Sequence, residues 1–295
     1  MKHKIFLLVL LFFVPIASHA QVDSVITVDG MERSYTVYVP QNYDEAVASP
    51  LVIVLHGSGG NGATSMVTTE FASLSETNGT ILVYPNGYNL HWDFLDKNEY
   101  APDADVADDV LFINTLIDEL ASNYNIDRSR IYVTGISSGG YMALRLMCEL
   151  PIAGVAIISA TATPELANHC LSLEKPIDTL IILGTEDSSF PVNGLAYVDD
   201  DGLLDIRFSF AQLTGFLSTL FHCDTGTDVV RIDDDSSDKQ VVRETRNNCG
   251  SAQFEMIYIL KHNHMYPTEA RLVLKNRTVG TVDEYIWEFF GLSNE

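Results

Sequence analysis

Residues 131–146 read IYVTGISSGGYMALRL. A β-branched and aromatic run, Ile131 to Thr134, meets a serine held between glycines, and good helix formers follow from Met142 to Leu146. The junction is Gly135-Ile136-Ser137-Ser138-Gly139, a G-x-S-x-G between a strand and a helix. A serine on so sharp a turn is strained, and only small residues two before and two after it let strand and helix approach. The turn also puts the Ser138 N–H at the start of the new helix, where backbone dipoles favour negative charge. Alone, the five residues decide little, because a Gly/Ser turn after a strand is common. The surrounding chain has to decide.

Outward from this junction the chain repeats one texture. PLVIVLHG, GTILVYPNG, SRIYVTG, AGVAIISA and DTLIILG are short, nearly continuous apolar runs, each ending at Gly, Pro or a small polar residue. Strands buried on both faces of a parallel sheet read this way. Between them lie helical patterns, clearest in ADVADDVLFINTLIDELASNY, where Val106, Val110, Ile113, Ile117 and Leu120 recur at three- and four-residue intervals. Ahead of these runs, VITVDG and RSYTVYVP alternate as a pair of antiparallel strands would. The expectation is an α/β fold with a mostly parallel central sheet, helices on both faces and right-handed crossovers. No linker or repeat divides residues 21–295, so one domain is expected, with residues 188–250 as its least regular part and a lid-like excursion.

If Ser137 carries chemistry, an acid and then a histidine should follow it, each just beyond a later strand. DTLIILGTEDSSFP brings Glu186 and Asp187 to a strand's carboxyl end, and FEMIYILKHNHMYP does the same for His262 and His264. An acid after a strand is usually a solvated turn, and a loop histidine a surface residue. Serine, acid and histidine in this order, each at a strand end, point instead to a nucleophile, its orienting carboxylate and its base. Upstream, VIVLHGSGGNG supplies Gly57, Gly59, Gly60 and Gly62, a loop flexible enough to aim N–H groups at one point as a second oxyanion donor. It lacks the G-K-[ST] ending of a phosphate loop. His56, which precedes the nucleophile, reads as a support for this loop.

The amino terminus, MKHKIFLLVLLFFVPIASHA, has a basic start, a short apolar core and the small-x-small site Ser18-His19-Ala20, which reads as a secretory signal in residues 1–20. Its apolar run is too short for a permanent membrane anchor. Removing these 20 residues, with two lysines and no acids, leaves 275 residues and a net charge of about −25. Such a surface repels nucleic acid and anionic membranes. The densest acidic runs, Asp199-Asp200-Asp201 and Asp233-Asp234-Asp235, read as solvated loops without the pattern of a calcium loop. Cys148, Cys170, Cys223 and Cys249 are an even set in an exported chain, which points to two disulfides in one of three pairings. The sequential pairing closes two loops, each worth about 3 kcal/mol. Zinc is a weak rival, since there is no C-x-x-C.

RSYTVYVP, LVIVLHGSGGNG, YPNG with Trp92, residues 108–148, LGTEDSSFPVNG, NNC and HNHMYP together resemble secreted poly(3-hydroxybutyrate) depolymerase-like and feruloyl esterase-like proteins. These are α/β hydrolases linked to carbohydrate esterase family one. The resemblance implies Ser137 as nucleophile, Asp187 as acid and His264 as base, the last because family members place that histidine just before an aromatic-proline pair, here Tyr266-Pro267 after Met265. It implies backbone N–H groups of Ser58 and Ser138 as oxyanion donors, and supports the pairings Cys148 with Cys170 and Cys223 with Cys249. Three departures bear on substrate range: Leu183 where members often have His, His262-Asn263 where they have Gly-Gly, and no cysteine-bearing stretch after Trp92.

The expected reaction is hydrolysis of a carboxylic ester through an acyl-enzyme, with no metal or organic cofactor. The substrate would be a 3-hydroxybutyrate oligomer or polyester, or a feruloyl or acetyl ester of plant cell-wall polysaccharide. Tyr84, Trp92 and Tyr266 are the expected substrate contacts, with Tyr88, Tyr141 and Phe190 as further candidates near strand ends. A chain ending at Glu295 favours soluble oligomers over a crystalline polymer. Two other classes stay open: an acyltransferase, which would yield a transfer product in place of free acid, and a non-catalytic binding protein, which would usually have lost a triad member. The expected location is periplasmic or extracellular.

Overall fold

The computed structural model describes residues 20–95, 107–198, 204–233, 239–274 and 278–293. Nearly all of the leader, Val106, the run at Asp199 and residues Asp234 and Asp235 lie outside them.

Among the described residues one ten-stranded sheet carries the fold. Its strands are β1 (Ala20–Val28), β2 (Met31–Val39), β3 (Ser49–Leu55), β4 (Ile81–Pro85), β5 (Ile126–Ile136), β6 (Gly154–Ile158), β7 (Asp178–Gly184) and, after a separate hairpin of β8 (Leu195–Val198) and β9 (Leu204–Arg207), β10 (Thr227–Arg231), β11 (Val241–Cys249) and β12 (Ala252–Ile259). The order across the sheet is β1-β2-β4-β3-β5-β6-β7-β12-β11-β10. Every pair from β4 to β12 is parallel. Antiparallel pairs, β1–β2–β4 on one side and β12–β11–β10 on the other, extend the edges. A short pair, β13 (Leu272–Val273) and β14 (Val279–Gly280), stands apart.

The continuous apolar runs are explained by packing on both faces. In β3, Leu51, Ile53 and Leu55 join one core while Val52 and Val54 join the other. The first core takes the buried faces of α3 (Asp109–Asn123), α4 (Ser138–Glu149) and α6 (Phe210–Leu220). The second takes α2 (Phe71–Ser75) and α7 (Val282–Phe289). Two short helices, α1 (Gly62–Thr68) and α5 (Pro164–His169), complete the layers. The expected helix in ADVADDVLFINTLIDELASNY begins at Asp109, capped by Asp108, whose carboxylate accepts from Leu111 N–H at 2.8 Å.

Residues 188–250 differ from the lid-like excursion expected. Most of their described part belongs to the body of the fold: α6 buries Phe210, Leu213 and Leu217 in the first core, and β10 and β11 continue the sheet past β12. These edge strands face solvent in part and alternate with charge, so they lack the apolar runs that made the central strands legible. Both disulfides have the sequential pairing: Cys148–Cys170 ties α4 to the turn after α5, and Cys223–Cys249 ties the end of α6 to β11.

Candidate active site

In an open parallel sheet, ligands bind beyond the carboxyl ends of the strands, where the strand order reverses. Here that point lies between β3, whose neighbour β4 leads one way, and β5, which leads the other. The loops after these two strands carry His56–Gly62 and Ser137.

Ser137 sits between β5 and α4 at φ 57° and ψ −123°, a conformation that a non-glycine residue holds only when its surroundings impose it. They do so through close backbone contact. A Cβ on Gly135 would overlap Gly139 O, and one on Gly139 would overlap the carbonyls of Leu55 and His56. The Ser137 N–H donates to Ile158 O at 2.9 Å, and its carbonyl accepts from Gly140 and Tyr141 N–H at 2.8 and 3.0 Å.

The side chain meets its expected partners. His264 Nε2 lies 3.1 Å from Ser137 Oγ, and His264 Nδ1 lies 2.8 Å from Asp187 Oδ2. Asp187 Oδ1 also accepts from Ser189 and Phe190 N–H at 2.9 and 2.8 Å. Burial pushes the Asp187 carboxyl up, but the hydrogen bonds from His264 and from the Phe190 and Ser189 backbone together hold it below the usual carboxylate range. An anion at this place keeps the imidazole proton on Nδ1 and leaves Nε2 to accept from the serine hydroxyl. The acid and histidine loops are clasped to each other: Thr185 N–H donates to Ile259 O, Glu186 N–H to His262 O and Lys261 N–H to Thr185 Oγ1, all between 2.9 and 3.0 Å. The neighbours that shared the sequence pattern have other places. Glu186 is exposed, and buried His262 bonds Met265 O through Nε2.

His56 does not face the serine. Its Nδ1 bonds Gly57 O, its Nε2 accepts from Gly87 N–H at 3.0 Å, and burial lowers its pKa, so it stays neutral and braces the glycine loop. Within that loop the N–H groups of Gly59 and Gly60 already bond Leu90 O and Gly57 O. Ser58 and Ser138, the expected oxyanion donors, border the same cleft as Ser137 and His264.

That cleft has a volume of about 380 Å³, with Phe94, Tyr141, Phe190, His91 and Arg207 on its walls. Phe94 stacks on Tyr141 with centroids 4.8 Å apart, and Phe190 packs 5.1 Å from the His264 ring. Of the aromatic candidates, only Tyr141 and Phe190 line it. The three expected substrate contacts lie elsewhere. Tyr84 is fully buried in the core on the opposite face of the sheet. Trp92 is buried against the His56 ring and donates through Nε1 to His56 O at 2.8 Å, holding the loop from behind. Tyr266 turns away from the cleft to hydrogen-bond Asp283 at the start of α7. Position near a strand end does not reveal the direction of a side chain, so the sequence marked the region but not the wall. Phe94 and Arg207 carried no signal of their own.

Residues 41–198, just over half of the chain, match the phospholipase/carboxylesterase family model. The chain belongs to the phospholipase/carboxylesterase family. The feruloyl esterase B of Neurospora crassa is 37% identical over 122 residues, which is 40% of this chain and 40% of the relative. The bifunctional acetylxylan esterase/xylanase XynS20E of Neocallimastix patriciarum is 24% identical over 204 residues, 68% of this chain and 26% of the relative. The aligned part is thus well under two thirds of either relative's length. The acetyl xylan esterase of Aspergillus awamori superposes with a TM-score of 0.62 over 92% of this chain and 100% of its own, at 17% identity, a likeness of fold.

In this member of the phospholipase/carboxylesterase family, the histidine loop is anchored from below. Tyr266, two residues beyond His264, donates its hydroxyl to Asp283 Oδ1, and Glu70 N–H donates to Asp283 Oδ2 at 2.8 Å. Burial, reinforced by the nearby Glu70 and Glu284 and only partly countered by the two donors, raises the Asp283 carboxyl from 3.8 to about 6. The folded chain therefore holds this proton more tightly than the unfolded chain. The stability it contributes is complete below the unfolded value near 4 and is lost as pH rises through about 6, a change of roughly 3 kcal/mol. Asp283→Asn removes the titration. Urea unfolding at pH 4 and pH 7 should show the variant gaining up to about that amount relative to wild type at the higher pH. A difference between the two proteins that does not change with pH would contradict the assignment.

Proposed function

We propose that this protein is an exported serine esterase that hydrolyses acyl esters of carbohydrate, with Ser137 as nucleophile, His264 as general base and acid, and Asp187 as the group that orients the imidazole. The observation that carries the proposal is the unbroken line from Ser137 Oγ through the His264 ring to Asp187, built on a strained serine turn. His264 Nε2 takes the hydroxyl proton as Oγ attacks the ester carbonyl. The Ser58 and Ser138 backbone N–H groups receive the oxyanion. His264 returns the proton to the leaving alcohol, then activates water, which releases the acid and restores Ser137.

The relatives named as feruloyl and acetylxylan esterases favour carbohydrate esters over the hydroxybutyrate reading, and the aromatic walls at Phe94, Tyr141 and Phe190 fit a planar or short acyl group. Two disulfides fit an oxidising compartment, in keeping with export. The test is hydrolysis by the purified protein of methyl ferulate, acetylated xylan and a 3-hydroxybutyrate trimer, with product analysis in the presence of an added alcohol. Free acid released from the first two, at kcat/KM at least tenfold above the trimer, supports the reading. A preference for the trimer would move the substrate to the polyester class. A transfer product in preference to acid would make the protein an acyltransferase, and a folded protein inactive on all three would remove the esterase reading.

A further inference from the structure

Beside the catalytic cleft lies a second, larger groove of about 660 Å³, bordered by Asp23, Glu32, Ser34, Asn61, Tyr88 and Asn89 among others. The two are separated by a single ridge, the turn Tyr88-Asn89-Leu90-His91. His91 faces the cleft, and Tyr88, Asn89 and Leu90 face the groove. The turn closes through His91 N–H to Tyr88 O at 2.9 Å, and both of its central residues are left-handed, Asn89 at φ 48° and Leu90 at φ 66°. Asparagine tolerates that region, but leucine is strained in it. The strain is held by the loop that presents the oxyanion donor: Gly59 N–H bonds Leu90 O at 2.9 Å. The ridge is therefore fixed to the loop that borders the cleft, and the groove lies on the other side of this one turn.

The two sides of the ridge differ in chemistry. The cleft wall is aromatic. The groove offers amides, hydroxyls, carboxylates and one tyrosine ring, which is the donor and acceptor set that vicinal hydroxyls engage in pairs, with an aromatic face for the C–H surface of a sugar ring. Its charge is acidic: Asp23 and Glu32 border it, while Arg33 is turned inward and paired with Asp109. Such a lining disfavours a uronic acid chain, and a polyester, which has no hydroxyl donors along its length, would bring the Asp23 and Glu32 carboxylates no donors.

We infer that this groove binds the carbohydrate portion of the substrate, as a subsite for two or more neutral sugar residues that continue from the esterified one. The inference rests on the esterase reading above and names the polar half of its substrate. The subsite contributes binding shared by ground and transition state, so it should act mainly on KM.

The experiment measures binding separately from turnover. Xylotetraose is titrated into the Ser137→Ala protein and followed by calorimetry or by amide chemical shifts, with a tetramer of galacturonic acid as the anionic comparison. Saturable binding of the neutral tetramer, at least tenfold tighter than the acidic one and at least fivefold weaker in Tyr88→Ala, supports the subsite. Glu32→Ala, which changes an exposed strand residue and leaves the turn untouched, should show the same weakening and covers the case in which Tyr88→Ala does not fold. In the active protein, each change should raise KM for a feruloylated or acetylated oligosaccharide at least fivefold relative to KM for the methyl ester. No binding of xylotetraose, equal binding of the acidic tetramer, or binding unaltered by both substitutions would overturn the subsite. Loss of the esterase reading shows differently, as a wild-type protein that binds the tetramer and cleaves no ester.

Discussion

Ser137→Ala and His264→Ala are each expected to lower kcat on a soluble ester by on the order of a million-fold, and the double variant by no more than either alone. The reason is geometric. Nε2 of His264 serves no purpose in the reaction without the Oγ that lies 3.1 Å away, and that Oγ is a poor nucleophile without the imidazole. Asp187→Asn should cost less, about ten-thousand-fold, because the ring keeps its place but loses the anion that selects its tautomer. The buried amide would also have to satisfy the N–H groups of Ser189 and Phe190, which Asp187 Oδ1 now accepts. With the oxyanion proposed to rest on the Ser58 and Ser138 N–H groups, residual turnover should survive in all four variants. Steady-state and single-turnover kinetics on p-nitrophenyl acetate would check the series. Costs that multiply in the double variant would show that serine and histidine do not act as one unit.

Asp109→Ala is expected to destabilise the fold by about 3–5 kcal/mol, a large part of the roughly 5–15 kcal/mol that holds a typical domain together. Asp109 is fully buried at the start of α3 and pairs with Arg33 of β2, itself only 2% exposed. The guanidinium lies 4.0 Å over the Phe112 ring, and Asp109 Oδ2 accepts from Asp93 N–H at 2.7 Å. Burial raises the Asp109 carboxyl, and Arg33 and the Asp93 N–H work against that rise. Removing the carboxylate strands a buried cation and frees the loop that carries Trp92 and Phe94. Among the described residues that loop is also tied by Arg145 of α4, which pairs with Asp93 at 2.9 Å, so the cleft wall should loosen as well. The double change Arg33→Met with Asp109→Leu should recover much of the lost stability, since no charge then remains buried alone. Urea unfolding of the three proteins tests this. A single variant within about 1 kcal/mol of wild type would mean that the pair is not buried as described.

The parts of this protein that were legible in its sequence are those set by local rules. Two-sided burial wrote the parallel strands as apolar runs, close backbone contact wrote glycines around Ser137, and chain order picked out one acid and one histidine loop. Which residue of each loop faces the serine was less plain. Glu186 and Asp187 differ only in which side of a turn they occupy, and His262 and His264 share a face by spacing, yet only one of each pair reaches the site. What could not be read depends on distant partners. Arg33 and Asp109 are 76 positions apart, Tyr266 is turned by Asp283, and Trp92 is drawn inward by a carbonyl on another loop. Residues 188–250 hid the two sheet strands β10 and β11 because partly solvated edge strands carry no continuous apolar run.

The central claim is that Ser137 is a nucleophile activated by His264. Incubation of the protein with an alkyl fluorophosphonate, followed by intact-mass measurement and peptide mapping, tests it directly. The expected result is one adduct per chain, on the peptide that contains Ser137, with labelling slowed at least a thousand-fold in His264→Ala. An unlabelled folded protein, an adduct on a different residue, or labelling that does not depend on His264 would contradict it.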